Sequence, residues 1–180
     1  MSTKQENPGP QAAVSPERTQ ASSITKRIVE AVAGRARNGD PVRVLGLTGP
    51  PGTGKSTIAA ELANALPEAG LAVAGMAPMD GFHMSNALLA ARGLADHKGA
   101  PDTFDVGGYV ALLGRVRRAD GVVLAPDYRR DLHEPVAASL PVEVDGVVIT
   151  EGNYLGLELP GWADVRGLID LLVYIDTPFE

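Results

Sequence analysis

The chain has 180 residues, 44% of them hydrophobic, which is enough for one domain with a proper core. Its formal charge of −6 argues against a broad nucleic-acid surface, and the absence of cysteine excludes disulfides, zinc–thiolate sites and thiol catalysis. No stretch approaches the roughly 18 apolar residues of a membrane span, and Met1 to Ser22 lacks a signal peptide's apolar core, so the expected location is cytoplasmic, without membrane or nucleic-acid partners.

Residues 1–22 are polar and proline-containing and read as a disordered N-terminal tail ahead of a single domain, 23–180. From Ser23 the pattern turns helical: Ile24, Ile28 and Val32 share a face, and Asn38-Gly39-Asp40-Pro41 stops the helix. Val42 to Leu47 is an apolar run of the kind that forms a buried strand. It leads into Gly49, Pro50, Pro51, Gly52, Thr53, Gly54, Lys55, Ser56 and Thr57, and Ser56 to Leu66 continues as an alanine- and leucine-rich helix. Gly49, four residues, Gly54, Lys55 and Ser56 satisfy the phosphate-loop pattern G-x-x-x-x-G-K-[ST]. Strand, glycine loop and helix in this order are what the chemistry requires. Glycines let the backbone wrap phosphate oxygens, and N–H groups at a helix start donate to the anion. Lys55 adds a point charge for the outer phosphates, and the Ser56 hydroxyl is suited to Mg²⁺. A nucleoside triphosphate is the expected ligand.

Leu71 to Met79 is a second apolar run, ending at Asp80-Gly81. Ala87 to Arg92 reads as a short helix, His97 to Asp105 as a polar loop, and Tyr109 to Arg118 as an amphipathic helix. Arg115, Arg117 and Arg118 read as the solvated face of that helix. Gly121 to Leu124 reads as a short strand followed by a long charged connection, Ala125 to Pro141. Val147 to Thr150 is a core strand ending at Glu151-Gly152, and Leu171 to Ile175 is another, ending at Asp176. Apolar runs without clean alternation indicate strands covered on both faces, as in a parallel α/β sheet flanked by helices. Ligands of such sheets sit beyond the carboxyl ends of the strands, where Gly49, Asp80, Glu151 and Asp176 fall.

Mg²⁺ on a triphosphate takes one or two protein carboxylates, and Asp80 and Glu151 are the candidates. Glu151 ends Val-Val-Ile-Thr-Glu-Gly, either as the acidic residue of a Walker B element or as a solvated strand-end carboxylate. Asp80 reads equally as a turn-forming Asp-Gly or as a group that orients a substrate hydroxyl, or accepts its proton, beside the γ-phosphate. His83 is open to a surface reading, His97 and His133 read as loop residues, and Trp162 as a packing anchor.

Five segments in order carry a resemblance. They are the phosphate loop, Asp80-Gly81-Phe82-His83, Pro101-Asp102-Thr103-Phe104-Asp105, Pro126-Asp127-Tyr128-Arg129-Arg130 and Glu151-Gly152-Asn153-Tyr154-Leu155. Together they resemble the uridine kinase / phosphoribulokinase / bacterial pantothenate kinase group, nearest to its bacterial nucleoside or nucleotide kinase-like branch. The resemblance implies the P-loop nucleoside triphosphate hydrolase fold, with ATP and Mg²⁺ as cofactors and a small-molecule alcohol as acceptor. It implies that Gly49 to Thr57 hold the phosphates, that Lys55 and Asp80 are catalytic, and that Ser56, Asp80 and Glu151 attend the metal. Phe82, His83, Phe104, Tyr128 and Arg130 are implied, with Asp80, on the acceptor side, Tyr128 and Arg130 in a hairpin that closes over it. His83 stands where uridine kinases usually carry Tyr, the Gly-Phe after Asp80 is closer to pantothenate kinases, and Arg129 stands where this branch often shows Asp.

Relatives of the group continue past the point matching Glu180 with an arginine-bearing lid and a further strand. The expectation is therefore a domain without its lid and last strand, with an open edge at Leu171–Ile175 and a homodimer left open. Two rival readings are a P-loop NTP hydrolase, which the lack of an Asn-Lys-x-Asp motif disfavours, and a nucleotide-binding but catalytically impaired chain.

Overall fold

A computed structural model describes residues 16–176. Residues 1–15 of the expected tail lie outside the described part. The first helix, α1, runs Pro16–Arg37, so it starts ahead of the expected Ser23 and takes in the end of the segment read as tail. Next come β1 (Val44–Thr48), the phosphate loop and α2 (Lys55–Glu68). β2 (Val73–Met76) is shorter than the apolar run suggested, because Met79–Phe82 closes into a 3₁₀ turn that carries Asp80. The middle of the chain holds α3 (Asn86–Ala91), two 3₁₀ turns at Ala95–His97 and Pro101–Thr103, and α4 (Val106–Arg118). β3 (Val123–Arg129), β4 (Glu134–Val142), β5 (Val147–Glu151), α5 (Trp162–Gly167) and β6 (Leu171–Tyr174) complete the order.

The main sheet is parallel, in the order β2-β5-β1-β6. Its strands are covered on both faces, as unbroken apolar runs require. Leu45 and Leu47 of β1 and Ile149 of β5 face Ile28 and Val32 of α1 and Ile58, Leu62 and Leu66 of α2. Val44 and Val148 point the other way, into a layer with Tyr109, Leu113 and Val116 of α4 and Trp162 and Val165 of α5. α1 is tied to α2 by the Thr25 hydroxyl, which donates to Glu61 at 2.6 Å.

Ala125 to Pro141, whose composition reads as a long charged connection, forms the hairpin that the resemblance implied: β3 and β4 pair antiparallel as a separate two-stranded sheet. The strand expected to end at Leu124 runs on to Arg129. β6 pairs with β1 and forms one edge of the main sheet among the described residues, with Tyr174 63% exposed. Arg117 departs from the solvated face expected of it. It bonds Asp170, whose other oxygen accepts the N–H groups of Arg43 and Val44 at 2.8 Å each, tying α4 to the starts of β1 and β6. Arg118 pairs with Asp120 at the surface.

Candidate functional site

The phosphate loop is mounted at the carboxyl end of β1, one of the two inner strands of the main sheet. β1 pairs with β5 so that Leu47 sits opposite Glu151, and Gly152 N donates to Leu47 O at 3.0 Å. That register delivers Glu151 beside the start of α2, where its Oε1 accepts the Ser56 hydroxyl at 3.1 Å. Gly49 has no tolerable substitute: a Cβ there would lie 2.1 Å from the carbonyl oxygen of Ile175, at a φ of +149°. Gly54 caps α2 in the left-handed region, at φ 81°, and leaves the first N–H groups of the helix without a side-chain cap.

Lys55 is buried, and its ammonium donates to the carbonyls of Gly49 at 2.9 Å and Pro50 at 2.7 Å. An ammonium has three donors, so one remains for a phosphate oxygen. Burial pulls the Lys55 pKa below its ordinary value, and the negative charges of Glu151 and Asp80 oppose that shift. Glu151 moves the other way. Burial and then the Asp80 charge raise it, against the Ser56 hydrogen bond and the cations Lys55 and Arg130.

Lys55, Ser56, Thr57, Asp80, Arg130, Glu151 and Asn153 line one cleft of about 460 Å³ with Pro51, Gly52 and Gly54. A hydroxyl and two mutually repelling carboxylates facing one cleft suit a divalent cation. Among the described residues no three acidic or His side chains cluster as a self-sufficient metal site. Mg²⁺ takes few protein ligands and completes its shell with water and phosphate oxygens. Asp176, expected at the same edge, is exposed and lies outside this cleft.

The acceptor-side residues divide. His83 stands against Phe104 and Tyr128, with ring centroids 4.0 and 5.0 Å apart. Its Nδ1 lies 2.9 Å from the Asp80 carbonyl, which can only accept, so Nδ1 carries a proton in that contact. Phe82 is a different case. It is only 7% exposed and packs on Tyr109 at 4.6 Å, which makes it core rather than the pocket wall the resemblance implied. Phe104 is buried as well, in an aromatic cluster with Tyr154 and Trp162 that fixes the 98–105 loop: Tyr154 donates to Gly99 O at 2.7 Å and Trp162 to Pro101 O at 3.3 Å.

Other residues that position the site had no motif to announce them. Tyr109 bonds Thr150, which donates to Ala77 O at 2.5 Å, so one buried relay joins the ends of β5 and β2 just below Glu151 and Asp80. Burial pushes the Tyr109 phenol well above its ordinary value, so it stays a neutral hydrogen-bonding group. Lys98 donates to Asn86 Oδ1 at 2.5 Å and His133 O at 2.6 Å, while Glu134 accepts Asn86 N–H at 2.9 Å. These bonds fasten the hairpin tip to the start of α3. Asn153 reaches the cleft because it follows Glu151 by two residues, a position the Glu-Gly-Asn-Tyr-Leu segment already marked.

Comparison with known proteins places this geometry. Residues 11–88 match the family model of the methylmalonyl Co-A mutase-associated GTPase MeaB, a span that includes the phosphate loop and Asp80 but not the hairpin or Glu151. An uncharacterized Escherichia coli protein, YggC, is 40% identical over 140 residues, covering 76% of this chain and 57% of the relative. A candidate uridine kinase of Schizosaccharomyces pombe is 37% identical over 142 residues, covering 73% of this chain and 59% of the relative. The chain thus spans less than two thirds of the length of these curated relatives. Among solved structures, a candidate fructose transport system kinase from Silicibacter superposes with a TM-score of 0.75 at 36% identity, over 88% of this chain and 75% of that one.

Proposed function

Because the chain belongs to the uridine kinase / phosphoribulokinase / bacterial pantothenate kinase group of P-loop kinases, we propose that it transfers the γ-phosphoryl group of ATP to an alcohol of a small molecule. One observation carries the reading: Lys55, Ser56, Asp80 and Glu151, drawn from three separate segments, face one cleft at the phosphate loop. The N–H groups of the Gly49–Thr57 loop, which Pro50 and Pro51 lack, and the free donor of Lys55 hold the phosphates. Ser56 and Glu151 are placed to hold Mg²⁺, which supplies positive charge against the phosphate oxygens. Asp80 orients the acceptor hydroxyl and takes its proton as the oxygen bonds to Pγ. The bond from Pγ to the bridging oxygen breaks, and ADP leaves with that electron pair. The acceptor is a nucleoside, a pantothenate-like alcohol or a sugar, held on the His83 and Tyr128 side of Asp80.

The match to a GTPase family supports a second reading, NTP hydrolysis. One assay separates them. ADP release is measured with a panel of these alcohols and without acceptor, using wild type and Asp80→Asn. The kinase reading expects acceptor-dependent ADP, cut about 10²–10⁴-fold by the substitution, with ATP binding retained. Equal ADP with and without acceptor refutes it in favour of a hydrolase.

A further inference from the structure

Adjacent arginines at the hairpin tip are placed differently. Arg129 is engaged by Asp131, Nε to Oδ1 at 2.8 Å and Nη2 to Oδ2 at 2.7 Å, and does not line the cleft. Among the described residues no ion pair engages Arg130, and it is the hairpin residue that lines the cleft with Lys55, Ser56, Asp80 and Glu151. Its charge is felt at Glu151, which it draws downward against burial and Asp80.

The tip that carries Arg130 is held in place. Lys98 and Glu134 fasten it to Asn86, and the hairpin root presses on the turn bearing Asp80, where Gly81 meets the Pro126 backbone. A guanidinium with five N–H donors and no partner among the described residues, lining the same cleft as a phosphate-binding loop, fits a tetrahedral anion better than a neutral hydroxyl. The loop amides and Lys55 approach the phosphates from β1 and α2. Arg130 approaches from β3, on the side where Asp80 would place the acceptor.

On the kinase reading above, from which this step proceeds, we infer that Arg130 is a ligand of the γ-phosphoryl group of ATP, a cation supplied by the hairpin of the same chain, rather than a contact of the acceptor. It forms no covalent bond. As the acceptor oxygen bonds to Pγ and the bond to ADP breaks, the equatorial oxygens keep their charge, and Arg130 neutralises it opposite Lys55.

The test is calorimetric binding of Mg²⁺·ADP and of Mg²⁺·AMP-PNP, a non-hydrolysable triphosphate, to wild type, Arg130→Ala, Arg130→Lys and Arg129→Ala. Loss of one charge-assisted hydrogen-bonding group should weaken AMP-PNP binding to Arg130→Ala about 10- to 100-fold. ADP affinity should be unchanged, Arg130→Lys should regain part of the loss, and Arg129→Ala should match wild type. Unchanged AMP-PNP affinity in Arg130→Ala, the result expected of an acceptor contact, overturns the inference and leaves the kinase reading standing. An equal loss for ADP, or an equal loss in Arg129→Ala, overturns it as well. Failure of the wild type to bind either nucleotide removes the kinase reading and the inference together.

Discussion

Replacing Gly81 by alanine would put a methyl carbon 2.3 Å from the carbonyl oxygen of Pro126 and 2.7 Å from its carbonyl carbon. A carbon–oxygen contact needs about 3.3 Å, so the 3₁₀ turn and β3 must part by about 1 Å. Both obstacles are backbone atoms, and no side-chain rotation relieves them. Overpacking of this kind costs about 1–3 kcal/mol. With a urea dependence of about 1–3 kcal/mol per molar, the unfolding midpoint should fall by about 1 M. The same displacement opens the gap between Asp80, one residue before Gly81, and the hairpin. A shift of that size costs about 10²-fold in turnover. ADP binding should survive, because the phosphate loop hangs from β1 and α2. Gly114→Ala is the control. In α4 the added carbon meets only the flexible end of Arg118, at 3.3 Å, and a helical glycine replaced by alanine should gain about 0.5–1 kcal/mol. Urea titrations followed by circular dichroism, with ADP calorimetry on the same samples, decide the matter. A Gly81→Ala protein as stable as wild type refutes the close approach and the argument built on it.

Lys55→Ala should weaken Mg²⁺·ATP binding about 10- to 100-fold, the range of a charged hydrogen bond, and an unchanged affinity by calorimetry would remove the phosphate-loop assignment. Asp170→Asn should lose about 1–3 kcal/mol of stability at pH 7, because the carboxylate receives Arg117 and the N–H groups of Arg43 and Val44. Burial raises the Asp170 pKa, but Arg117 and those N–H groups outweigh it and hold it below 3.8. A lowered folded pKa means the stabilisation is complete above the ordinary carboxylate range and is lost as pH falls through the folded value. The gap between wild type and Asp170→Asn in urea unfolding should therefore close in acid, and a pH-independent gap would contradict the pairing.

The strands that carry chemistry were legible because each is a continuous apolar run ending in a polar residue. Val44–Thr48, Val147–Glu151 and Leu171–Tyr174 all lie within a residue or two of their expected bounds. The hairpin was legible only through the resemblance, not from its own pattern. Ala137, Ala138 and Ser139 of β4 are exposed, so burial imposes no alternation on that strand. The burial of Phe82 and Phe104 in the core was not legible, since it depends on Tyr109, Tyr154 and Trp162 arriving from distant segments. The contacts of Lys98 and Glu134 with Asn86 and His133 join residues 12 to 48 positions apart and leave no local pattern. The tie from Arg117 to Asp170 leaves no local pattern either: a charge on a helix face looks alike whether its partner is water or a carboxylate 53 residues away.

The two sheets divide the molecule's labour in a way that bears on how its preferences can change. The phosphate loop hangs from β1, flanked by β5 and β6, while the residues that the kinase reading sets over the acceptor hang from the β3–β4 ladder, joined at its root where Glu143 N donates to Ala74 O at 2.8 Å. A substitution along the exposed stretch of β4 therefore disturbs no rung of the ladder that mounts the phosphate loop, and surface changes of that kind usually stay within about 0.5 kcal/mol. Segment 123–142 is in this sense a graftable part. On the kinase reading, exchanging it with Arg130 retained offers a route to new acceptors while the machinery for the donor is left as it stands.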